Sequence, residues 1–80
     1  MEPAPRLSPG ARWIPDVRGH GRGVVVSARP EAGLMTISVW RENVCTATLR
    51  LEPDDAAALI SALADGLVDL DAPAELRRPA

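Results

Sequence analysis

The sequence predicts an α+β fold: a three-stranded antiparallel β-meander, four-stranded if Trp13–Val17 adds an edge strand, followed by one C-terminal amphipathic helix. Three observations carry this. Two segments, Leu34–Trp40 and Val44–Leu51, alternate apolar and polar residues with the period of a half-buried strand. Their connection is short enough to force antiparallel neighbours. From Pro53 onward the apolar period lengthens to that of a helix.

Residues 1–15 hold four of the eight prolines, each of which fixes φ and lacks a donor, so regular structure is not expected before Ala11. Trp13 and Ile14 are the anchor expected within this arm, and Pro15 would confine a strand there to a sheet edge. Arg18-Gly19-His20-Gly21-Arg22-Gly23 reads as a flexible connector. The first strand is Val24–Ala28, β-branched and short, and Pro30-Glu31-Ala32-Gly33 supplies a turn. In Leu34–Trp40, Met35, Ile37 and Val39 oppose Thr36, Ser38 and Trp40. After a turn at Arg41-Glu42-Asn43, Cys45, Ala47, Leu49 and Leu51 are expected on one face, and Thr46, Thr48 and Arg50 on the other.

Pro53 suits the first helical position, and Asp54 and Asp55 place negative charge at the positive end of the helix dipole. Ala56, Leu59, Ile60, Leu63, Leu67 and Leu70 form one stripe, which is expected to lie on the Met35/Ile37/Val39 and Cys45/Ala47/Leu49 face of the sheet. The helix should end near Leu70, before Pro73. This divides the chain into an arm over 1–21, partly ordered around Trp13, a meander-plus-helix domain over 22–71, and a flexible tail over 72–80.

The chain has 80 residues and a net charge of −2, unevenly spread. Residues 1–23 set four arginines against Glu2 and Asp16, a balance of +2, and residues 24–51 balance at +1. Residues 52–80 carry five aspartates and two glutamates against Arg77 and Arg78, a balance of −5. A mildly basic strand half joined to an acidic helix half is not the pattern of a protein that coats nucleic acid. A chain of this size leaves a thin stability margin. Cys45 is the only cysteine and His20 the only histidine, so neither a disulfide nor a four-ligand metal site can supply the difference. Association with a second copy or a protein partner is therefore expected. The sequence has no apolar run of about 20 residues and no signal-type segment after Met1, which makes cytoplasmic the expected location and excludes a membrane partner.

No catalytic residue, metal ligand, cofactor or small-molecule substrate is indicated, so the chain is not expected to be an enzyme. His20 has no carboxylate nearer than Asp16, and Cys45 reads as a small buried hydrophobe. The expected partner-binding residues are Trp40, Arg50, Thr36 and Thr48 on the sheet face that the helix does not cover, with Trp13 able to fold against them. The same face offers a nucleic-acid alternative, in which Trp40 stacks bases while Arg18, Arg22 and Arg50 contact phosphates. Ala57, Ala64 and Val68 form a second helix ridge that could pair two copies.

Leu34–Trp40 and Leu49-Arg50-Leu51-Glu52-Pro53, with Leu59, Ile60 and Leu63 behind them, resemble the PC4-like transcriptional coactivator fold in layout. That resemblance implies a homodimer binding single-stranded nucleic acid on its sheets. It covers about half the chain, which departs from it in having no lysine, an acidic total and a short first strand. The chain also resembles short proteins of high-GC actinobacteria, which implies no activity. The leading expectation is a non-enzymatic, homodimeric interaction or regulatory module that binds another macromolecule. Single-stranded nucleic-acid binding and antitoxin-like inhibition of a protein are the alternatives.

Overall fold

The computed structural model describes residues 10–71, so the start of the proline-rich arm and the tail over 72–80 lie outside the described residues. Four strands and one helix follow in order: β1 (Arg12–Pro15), β2 (Gly23–Arg29), β3 (Leu34–Arg41), β4 (Val44–Leu51) and α1 (Pro53–Asp71). The strands form one antiparallel sheet in the order β1-β2-β3-β4. Trp13–Val17 thus does contribute the fourth strand, through Arg12–Pro15, and Pro15 lies on an outer strand where its missing N–H breaks no ladder. The sheet starts at Arg12, inside the segment that composition sets apart as an arm.

The two hairpin turns follow from their residues. Between β2 and β3, the Ala32 N–H donates to Arg29 O at 3.0 Å and Gly33 takes a φ of 67°. Between β3 and β4 the two turn residues, Glu42 and Asn43, both have positive φ (52° and 67°). Paired left-handed residues give the type I′ turn whose twist matches the flanking strands, and Asn43 suits it far better than Glu42 does.

Register assigns the faces. Val26, Ile37 and Leu49 share one row, and Val24, Val39 and Ala47 the next, with Ile14 of β1 beside Val24. This is the apolar face. The opposite face carries the Val25, Ser38, Thr48 row and the Ser27, Thr36, Arg50 row. An irregularity between Val39 and Trp40 alters the end of β4: Val39 pairs Ala47 but Trp40 pairs Cys45, so Thr46 is a surplus residue. Its hydroxyl donates to Val39 O at 3.2 Å. The bulge moves Cys45 to the polar side beside Trp40, and Thr46 joins Val24, Val39 and Ile14 around a shallow hollow on the apolar side. The expected alternation of β4 is therefore corrected at these two residues. Cys45 is exposed rather than part of a core.

The helix begins as its sequence predicts, with Glu52 O accepting the Ala56 N–H at 2.9 Å, but it does not lie on the sheet. It touches β3 and β4 sparsely, and none of its residues is buried. Exposure is 37% at Leu59 and 61–69% at Ile60, Leu63, Leu67 and Leu70. The expected packing of the leucine stripe onto the chain's own apolar face is thus overturned. Periodicity shows which side of a helix must leave water, not which surface receives it. Up to Leu70, the side running from Gly66 round to Val68 carries no charged residue over an arc of about 200°, wider than one packing surface covers.

Candidate functional site

Gly23 is buried, and it organises the polar face. The Trp13 ring lies over it: a Cβ built there would sit 2.6 Å from Trp13 Cη2 and 2.5 Å from Ile14 O. Gly23 also pairs with Trp40, so the edge strand brings its indole to the same end of the sheet as Trp40. The Trp40 Nε1–H donates to Ser38 Oγ at 2.8 Å, which fixes the second ring along its own strand. Further along, the Ser27 and Thr36 hydroxyls are hydrogen-bonded at 2.8 Å, and Thr36 faces Arg50 across the β3–β4 pair.

Trp40, Cys45, Thr48, Thr36 and Arg50 line one open concavity, with Arg29 at its far end. All the expected partner-binding residues therefore fall on one face, Trp13 included. Cys45 and Arg29 are the additions that sequence reasoning missed. The bulge hid the first, and the second lies one residue past the expected end of its strand at Ala28, whereas β2 runs on to pair Arg29 with Leu34. The Cys45 thiol lies 3.6 Å from both Ala47 O and the Thr48 hydroxyl, weak contacts because a thiol is a poor donor and acceptor.

The nucleic-acid set is divided. Arg18 and Arg22 belong to the hollow on the apolar side, with Ile14, Val24, Val39 and Arg41, whereas Arg50 lies at the other end of the polar face. Arg18 is also engaged. Its Nε–H and Nη2–H donate to the Asp16 carboxylate at 3.0 and 2.8 Å, and its backbone N–H donates to Asp16 Oδ1 at 2.7 Å. The guanidinium bonds first, and the backbone bond second, hold the Asp16 carboxyl well below the ordinary carboxylate range, against a small desolvation cost. The same pairing raises the Arg18 pKa.

The 18–23 segment is more than a connector. The Asp16 N–H donates to Arg22 O at 2.9 Å, and the Gly19, His20 and Gly21 φ angles are all near +60° to +70°. Gly21 O accepts the Glu42 N–H at 3.2 Å, which ties this loop to the β3–β4 turn. Ala57, Ala64 and Val68 are exposed along α1.

Among the described residues no three His, Cys, Asp or Glu side chains gather in a metal-holding cluster, and no helix is long and apolar enough to cross a membrane. No protein-family model, curated protein or solved structure matches the chain.

Proposed function

We propose that the chain is a non-enzymatic interaction module of the cytoplasm, homodimeric, which binds another macromolecule through the Trp40–Arg50 face. One observation carries the reading: both faces of the sheet are open to solvent, and they differ in character. The apolar face and the standing helix call for burial, while the polar face offers a fixed indole, hydrogen-bonded hydroxyls and exposed guanidinium groups without a constellation for proton or group transfer. Trp and Arg are the residues that most often dominate a binding surface, and Trp40 is held in place before any partner arrives. The unpaired Cys45 supports a reducing compartment.

The test is capture from the native host with the wild-type chain beside Arg50→Ala and Thr48→Ala variants. The reading expects a partner retained by the wild type and lost with Arg50→Ala. A partner retained equally by all three would place binding elsewhere and overturn it. Capture of a single toxic protein would specialise the reading to an antitoxin-like inhibitor. A parallel titration of Trp13 and Trp40 fluorescence with single-stranded oligonucleotide separates the nucleic-acid alternative. Quenching at low salt that disappears at high salt would replace a protein partner with nucleic acid.

A further inference from the structure

We infer that two copies exchange helices, each laying its α1 across the apolar sheet face of the other. This rests on the homodimeric reading above and gives it a geometry. Ile14, Val39 and Leu49 on the sheet are 47%, 40% and 57% exposed, and the α1 stripe from Leu59 to Leu70 is as open or more so. Together they leave roughly 800 Å² of apolar residue surface on each chain, about what one partner contributes to a standard stable interface. Contiguous apolar patches larger than a few hundred Å² on a folded chain mark interaction surfaces.

Charge selects the second copy as the occupant. Between Pro53 and Asp71 the helix carries Asp54, Asp55, Asp65, Asp69 and Asp71 and no basic residue. The apolar face is edged by arginines: Arg12 lies in the Val26 row, and Arg22 and Arg41 border the hollow at Ile14, Val24 and Val39, where Arg18 is already paired with Asp16. One chain thus supplies an apolar helix of net negative charge and an apolar sheet face edged by basic residues, opposite in sign. Each needs what a second copy offers, and a two-fold axis satisfies both at once and closes the assembly. Dimensions agree: a helix of 19 residues is about 28 Å long and a strand of 8 residues about 26 Å, so the helix spans the face. The breadth of the apolar arc also fits, because the Ala57/Ala64/Val68 side remains to meet the edge of the same partner.

Sedimentation of the full chain across about two decades of concentration should give a dimer. Leu63→Asp with Leu67→Asp should weaken it about a hundredfold or more while the strand signal in circular dichroism persists. Geometry is read separately by cross-linking. Two full-length populations in a Cys45→Ser background, one tagged with Leu63→Cys and one untagged with Leu49→Cys, are refolded together and treated with a short bis-maleimide. The inference expects the mixed-chain adduct. A dimer that links Leu63→Cys only to Leu63→Cys would mean paired helices and would overturn helix exchange alone. An intrachain adduct in a Leu49→Cys/Leu63→Cys chain would do the same. A strict monomer at every concentration would remove the homodimeric reading with it.

Discussion

At Gly23 the missing side chain is what lets the Trp13 ring close onto the sheet, because a Cβ would strike Trp13 and the Ile14 carbonyl together. Gly23→Ala is therefore expected to cost about 1–3 kcal/mol, as overpacking does, and to shift Trp13 emission to the red. Denaturant titration followed by fluorescence reads both. Asp16 makes a different kind of prediction. Its carboxyl ionises more readily in the folded chain than at its ordinary value of 3.8, so it favours the fold at neutral pH. That contribution is complete above the unfolded value and fades as acid protonates the folded carboxylate. Asp16→Asn should consequently lower stability at pH 7, and the gap from wild type should close progressively below about pH 4. A gap unchanged down to acid would deny Asp16 this role. Composition identified Trp13 and Trp40 as residues needing cover, but nothing in it pointed to Gly23, whose role exists only once the edge strand is paired.

Among the elements, the β3–β4 hairpin is the one whose sequence fits its geometry least. Glu42 occupies a left-handed position that disfavours most side chains. Replacing Glu42-Asn43 by Asn-Gly should stabilise the protein by about 1 kcal/mol, since the Glu42 N–H to Gly21 bond is made by backbone and survives. Thermal melts of the two chains would show it. The bulge allows a sharper test. Deleting Thr46 leaves Cys45 opposite Trp40 and Ala47 opposite Val39, so both faces persist. Deleting Thr48 instead reverses every residue on one side of the gap. Thiol labelling of native Cys45 together with amide spectra should find the first variant native-like and the second disrupted. Alternation in Leu34–Trp40 was fully legible because that strand is regular along its length. In Val44–Leu51 it was legible only from Ala47 onward, because a surplus residue has no periodic signature of its own.

For the molecule as a whole, the separation of charge between strand half and helix half was readable directly, and so was the shortage of core. The direction of the helix was not. A leucine stripe obeys the same periodicity whether it packs on its own sheet or another's, so sequence led to the nearer surface and the structure to an open one. If association completes the core, folding and assembly are linked, and the thermal midpoint should rise with protein concentration. A midpoint constant over a wide concentration range would show that each chain is stable alone.

Thr46 also bears on how an exposed sheet edge avoids fibres. β4 is the longer of the two edge strands and uncovered, the sort of border on which foreign strands stack. The bulge kinks that border and leaves a regular stretch of about five residues, below the six or seven that a stacked zipper uses. The residue that deletion spares structurally is then the one that keeps the edge from templating growth. A chain lacking it would fold correctly and still prove the harder one to keep dispersed.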